Sequence, residues 1–347
     1  DSSSHAYSAP LAQSISDVDF TNAYRVPFQF RRLFPEALKQ AHLVSASSDV
    51  RIRDIDGNWR YDLSGSYGVN VFGYDFYKQC IEEGVRTSGE LGPVLGPYHP
   101  AIADVVARLG RISGQDEVSF HMSGTEAVMQ AVRLARYHTN RTHLVRFCGA
   151  YHGWWDGVQP GIGNQRKVSD VYTLADLSER SLYVLDTRDD IACVLVNPLQ
   201  ALNPNADAQS DATLMGSGRS ACPDRERYSQ WLRKVREICT RRGIVLIIDE
   251  VLTGFRLGYR GAQEYFDVPG DMVTYGKSLG GGLPVGVLCG RADLMKRFRD
   301  SEPANFSFAR GTFNSHPYVI GAMHAFLQRI EAPHYQALYE SAEQTWN

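Results

Sequence analysis

The chain has 347 residues, 43% of them hydrophobic, with 36 Lys or Arg against 39 Asp or Glu and a formal net charge of −3. That length can bury one large α/β domain or two smaller ones. The near balance of charge gives no electrostatic reason to expect nucleic acid or an anionic membrane as a partner.

The start, "DSSSHAYSAP", has no initiator methionine and no charged region followed by an apolar one, so no signal peptide is expected. A piece of a longer chain is. Six cysteines (Cys80, Cys148, Cys193, Cys222, Cys239, Cys289) stand far apart with no C-x-x-C pair. They read as thiols in a reducing cytoplasm rather than a disulfide framework or a zinc site, and no metal is expected. "VRIRDIDGNWRYDLSG" (50–65) predicts a hairpin turning at Asp56-Gly57. "EVSFHMSG" (117–124) predicts a short strand running into glycine. The apolar positions Val128, Ala131, Val132 and Ala135 then mark one face of a helix over 125–138. "HLVRFCGAYHG" and "IACVLVNPLQ" predict buried strands ending in polar loops, and residues 202–223 a surface loop. "RERYSQWLRKVREICTRRG" predicts a helix capped by Gly243. "IVLIIDEV" and "DMVTYGKS" predict core strands; a helix from Pro317 to about Ile330 and another near the terminus follow. "IVLII" meets Asp249-Glu250 at once, so no membrane span is expected. The alternation of strands and helices argues for α/β layering on a mainly parallel sheet.

Polar residues gather where the strands end, the edge at which open α/β sheets bind ligands. Ser123 to Glu126 fits a capping box, but Gly124 and Thr125 could equally present donors to a phosphate at the helix N-terminus. "AYHGWWDG" (150–157) reads either as a turn with packed aromatics or as a site where Tyr151 stacks on a flat ring. Asp249, at the mouth of an apolar strand, needs a cation or donors. Arg256 is one candidate partner and a protonated ring nitrogen is another. Gly276-Lys277-Ser278 ends like a P-loop, but five residues separate Gly270 from Gly276 where that motif needs four. Gly280 to Gly282 also follow the lysine instead of preceding it. Partial burial there would lower the pKa of Lys277 and free its amine for Schiff-base chemistry. A phosphate cup, a stacking ring, a carboxylate and a reactive amine are what pyridoxal 5′-phosphate needs.

"SGTEA", "YHGWWDG", "IIDEVLTGFR", "YGKSLGGGLPVG" and "GTFNSHP" resemble, in order and approximate spacing, the class III aminotransferases of fold type I. The likeness covers roughly residues 20 to 347 and is nearest to the glutamate-1-semialdehyde aminomutase branch, including aminotransferase domains of polyketide and peptide–polyketide pathways. It implies a Schiff base at Lys277, Asp249 on the ring nitrogen, and Val251 and Tyr151 on the two ring faces. Ser123, Gly124, Thr125 and His152 would also contact the cofactor. Thr312 would reach the phosphate of the neighbouring subunit in a homodimer. It further implies a fold type I large domain, with a seven-stranded sheet flanked by helices, over 76–313. An N-terminal segment with a hairpin would occupy 1–75, and 314–347 would begin a small C-terminal domain that is mostly missing.

Two departures bear on the substrate. The family's Glu-Pro is Asn197-Pro198 here, with Gln200 a substitute polar contact, and no arginine lies in "FPEALKQAHLVSASSDV" (34–50), where the aminomutase has one. Tyr67, Asn197, Gln200 and Glu250 are the candidate substrate contacts, and Phe28, Phe30 and Tyr98 candidate apolar lining. The expected activity is transfer from an amino donor to a ketone, aldehyde or carrier-bound β-ketoacyl group in specialised metabolism, with an acyl carrier domain as a possible partner. The alternatives are an aminomutase and a cofactor-binding module without turnover.

Overall fold

The computed structural model describes residues 3–18, 20, 42–159, 164–166, 168–198 and 224–346. The chain divides into two compact units, Asp1–Lys78 and Gln79–Asn347. Residues 314–347 fall within the larger unit.

In the smaller unit, α1 (Ser3–Ser14) precedes β1 (Val44–Ser48), β2 (Arg51–Asp54) and β3 (Trp59–Tyr61). The three strands form an antiparallel sheet in that order. The β2–β3 turn is the one read from Asp56-Gly57. Gly57 takes a φ of 90°, and Asp54 accepts from the Asp56 and Asn58 amides and pairs with Arg60. Strand β1, "VSASS", lacks alternating apolar residues and was not legible. Helix α2 (Tyr74–Ser88) spans the division.

The larger unit continues with α3 (Ile102–Ser113), β4 (Glu117–His121), α4 (Gly124–Thr139), β5 (His143–Phe147), β6 (Val171–Leu174), α5 (Glu179–Thr187) and β7 (Ile191–Val196). Then come α6 (Arg225–Arg242), β8 (Val245–Asp249), α7 (Gly261–Phe266), β9 (Met272–Tyr275), β10 (Gly286–Gly290), β11 (Phe298–Arg299), β12 (Glu302–Phe306), α8 (Pro317–Arg329) and α9 (Pro333–Trp346). The expected loop over 202–223 lies outside the described residues.

Seven strands make one sheet in the order β4-β10-β9-β8-β7-β5-β6. The run from β9 to β6 is parallel, whereas β10 is antiparallel to both its neighbours. Alternate residues of the central strands serve opposite faces, as the period of two requires. Val194, Val196, Leu246 and Ile248 pack with Leu185 of α5 and Trp231, Leu232 and Val235 of α6. Cys193, Leu195, Val245 and Ile247 pack with Val128, Ala131, Leu134 and Ala135 of α4 on the other side. A sheet covered on both faces explains why these strands read as unbroken apolar runs. Ser123 at the end of β4 sets the start of β10: a Cβ on Gly286 would lie 1.8 Å from the Ser123 carbonyl oxygen. Only glycine fits.

Five cysteines are described and all are free; Cys80, Cys193, Cys239 and Cys289 are buried and Cys148 is exposed. Among the described residues no helix is long and apolar enough to cross a membrane.

Candidate active site

The C-terminal ends of β4, β5, β8 and β9 supply the candidate side chains. Lys277 follows β9 directly as the first residue of a short 3-10 turn, Lys277–Gly280, after Gly276. Its φ of 41° is left-handed, a conformation a residue with a Cβ adopts at a cost. Burial lowers the pKa of its amine and nearby Arg256 adds to that, while Asp249 pulls the other way.

Asp249 ends β8 and is 1% exposed. His152 Nδ1 lies 2.6 Å from its Oδ2, and the Val251 amide and the Thr274 hydroxyl each donate to Oδ1 at 3.0 Å. His152, buried beside this carboxylate, is a partner that the sequence reading did not offer; Arg256, one of the two candidates there, is exposed and donates from Nε to the Leu252 carbonyl oxygen.

The loop carrying His152 is tied down by a residue that the sequence reading passed over. Arg146, only 9% exposed in β5, donates to the carbonyl oxygens of Ala150 and Val158. It thereby brackets Tyr151 and His152 from below. The signal was there: an arginine at an inward position of "HLVRF" must be satisfied by something in the interior. Tyr151 itself is 60% exposed. Gly153, at a φ of 90°, lets the loop cross Thr125, whose Oγ1 would stand 2.4 Å from a Cβ there.

At the start of α4 the capping-box reading of "SGTE" is met, and it leaves room for the other. Ser123 is the N-cap and accepts from the Glu126 amide, and Glu126 accepts in return from the Met122 amide. The cap uses those two donors and leaves the amides of Gly124 and Thr125 in the first helical turn, where no intrahelical acceptor exists. A Cβ on Gly124 would lie 2.7 Å from Val251 Cγ1, and one on Gly276 3.2 Å from the same atom. Val251 is thus held between the helix N-terminus and the lysine turn.

Glu250 must be corrected. Its carboxylate does not face the other candidates; it accepts from the Ala262 and Gln263 amides at the start of α7 and from the Thr253 hydroxyl. Burial pushes its carboxyl up to about 7. It holds α7. Asn197 follows β7, 7% exposed, with a buried Oδ1 that has no hydrogen-bond partner among the described residues. Thr312 is exposed in the turn before α8. Tyr67 belongs to the smaller unit, in a turn with a φ of 57°. Gln200, Phe28 and Phe30 lie outside the described residues.

The residues present fit pyridoxal phosphate. Lys277 is part-buried with a weakened hold on its proton, Asp249 is buried beside it in charge range, and His152 Nε2 and Asn197 Oδ1 are buried without partners among the described residues. Such orphaned polar atoms call for a polar group to face them. A part-buried lysine of this kind at the edge of a doubly covered, seven-stranded sheet suits a pyridoxal-phosphate enzyme.

The chain belongs to the class-III aminotransferases, whose family pattern it matches over residues 35–346. It is 33% identical over 317 residues to glutamate-1-semialdehyde 2,1-aminomutase of Methanocaldococcus jannaschii, covering 86% of this chain and 69% of that protein. Among solved structures it resembles a transaminase with PLP bound, with TM-score 0.68 and 29% identity over 85% of this chain and 68% of the other. It also resembles an omega-transaminase from Sphaerobacter thermophilus, with TM-score 0.71 and 26% identity, covering 90% and 75% respectively.

Proposed function

We propose that the protein moves an amino group from an amino donor to a ketone, aldehyde or carrier-bound β-ketoacyl acceptor in specialised metabolism. The observation that carries the reaction class is the lowered pKa of the Lys277 amine beside the buried Asp249–His152 pair. Pyridoxal phosphate, when bound, supplies a carbonyl that condenses with amines and a ring that withdraws electrons.

Lys277 Nζ would hold the cofactor and, as a free amine, would serve as the base and acid that moves a proton between two carbons. Asp249 would keep the ring nitrogen protonated, with His152 fixing the orientation of the carboxylate. The amides of Gly124 and Thr125, with the Ser123 and Thr125 hydroxyls, would receive the phosphate, and Thr312 of a second copy would complete that cup. Val251 and Tyr151 would contact the ring. The active form is a homodimer in the cytoplasm, and an acyl carrier domain delivers tethered substrates. Support for an acceptor without a free carboxylate comes from residues 34–50, which contain no arginine to clamp one.

Glutamate-1-semialdehyde isomerisation is the second reading, favoured by the relatives that carry the aminomutase name. Amino donors added to the holoenzyme should shift the cofactor absorbance, which a module without turnover would not do. The kcat/KM for acyl ketones and β-ketoacyl thioesters should then exceed that for glutamate-1-semialdehyde. Efficient formation of 5-aminolevulinate, with the acyl substrates inert, would restore the aminomutase.

A further inference from the structure

A separate cavity of about 380 Å3 lies along edge strand β4, between that strand, α3 and the segment leading to α8. Ile102 and Val106 of α3 give it an apolar wall, and Arg297 and Arg310 line it as well. No carboxylate does. Arg297 donates to the Ala309 carbonyl oxygen at 2.8 Å and to Ser119 Oγ at 2.5 Å, and Arg310 to the Gly96 carbonyl oxygen at 3.3 Å. Among the described residues neither guanidinium is in an ion pair. Burial lowers the pKa of Arg297 and the like charge of Arg310 adds to that, while Tyr98 and the Glu117 carboxylate pull the other way. Asn314, 8% exposed, lines the same space.

Two cations line one cavity whose wall carries no carboxylate, and the Glu117 carboxylate, in charge range of Arg297, offsets only part of the positive field there. We propose that this cavity binds a small organic anion, a carboxylate or a phosphate ester with an apolar body, whose charge is met by Arg297 and Arg310. The planar guanidinium fork suits either headgroup. The volume is that of a small-molecule site, and the apolar wall fits an aliphatic chain of a few carbons. The Arg297 contact continues through Ser119 Oγ to His121 Nε2, 3.0 Å away, at the end of β4 just before Ser123. A bound anion would therefore lie on a hydrogen-bonded line toward the start of α4.

Isothermal titration of the holoenzyme with hexanoate, hexyl phosphate and hexylamine tests this. One or both anions should bind saturably at one site per chain, and hexylamine should not; whichever anion binds more tightly identifies the headgroup. Arg310→Ala, at an exposed position, should weaken binding about tenfold or more, and Arg310→Lys should recover part of it. Val106→Phe, which fills the apolar wall, should shift the preference from hexanoate to butyrate. Absence of saturable binding by both anions would overturn the proposal. So would affinities indifferent to the Arg310 and Val106 variants, which would put the ligand elsewhere. Sedimentation supplies the remaining arm: if Arg310→Ala dissociates the assembly while neither anion binds the unaltered protein, the arginines serve a contact between copies and the proposal fails.

Discussion

At the scale of single residues, the site is a set of charges placed where solvent cannot damp them. Lys277→Ala should remove the cofactor that borohydride fixes to the chain, and mass spectrometry of the reduced wild type should find the adduct on Lys277. An adduct on another lysine would reassign the site. Asp249→Asn takes the negative charge from a 1% exposed position while keeping its shape. Turnover should fall roughly a hundredfold or more, about 2.7 kcal/mol in barrier, with the fold intact by circular dichroism. His121 offers a test through pH. Burial, with Arg297 nearby, lowers its pKa from 6.5 to about 4. A base depressed in the folded state contributes stability above its unfolded pKa, and that contribution is lost as pH falls through the folded value. His121→Gln keeps a donor near Ser119 and does not titrate. Its unfolding temperature should therefore drop less than the wild type's from about pH 7 to about pH 4; equal drops would assign the acid sensitivity to other groups.

Elements meet at this site through glycines. Gly124→Ala would put a Cβ 2.7 Å from Val251, and overpacking of this kind costs about 1–3 kcal/mol. The variant should unfold at lower temperature and hold cofactor less tightly, and adding Val251→Ala should recover the stability; no recovery would mean the strain lies in the backbone. Long amphipathic helices were legible because periodicity accumulates. Helix α4 starts one residue before its predicted start and α6 ends on Gly243 at a φ of 61°. Strand β10 was not, since "GVLCG" follows three glycines and borrows its register from β4 and β9. Nor were β6, four residues long, and β12, whose "EPANF" is exposed throughout. Lys277 and Asp249 stood out in the sequence because each closes an apolar strand. The bond between His152 and Asp249 joins residues 97 apart, and the bracket formed by Arg146 depends on how a loop folds back. Neither kind of information is local.

For the whole molecule, the exposed ring of Phe313 and those of Phe306 and Phe308 accompany Thr312 in sequence, an apolar surface of the kind that partners cover. Sedimentation should show a homodimer. If each site takes Lys277 from one copy and Thr312 from the other, mixing Lys277→Ala with Thr312→Ala chains leaves one intact site per mixed dimer. Random pairing then returns roughly a quarter of wild-type activity. Recovery no greater than either parent would mean that each copy works alone.

The uneven distribution of thiols has a practical outcome. Burial pushes Cys193, Cys239 and Cys289 up to about 12 and Cys80 to about 11, so none of them offers much thiolate to an electrophile near neutrality. Cys148 is exposed and stands three residues before Tyr151. Once Cys222 is replaced by serine, a maleimide dye should attach at that single position. The label would sit on the bracketed loop itself, and its emission could report in real time whether that loop shifts as donor and acceptor come and go.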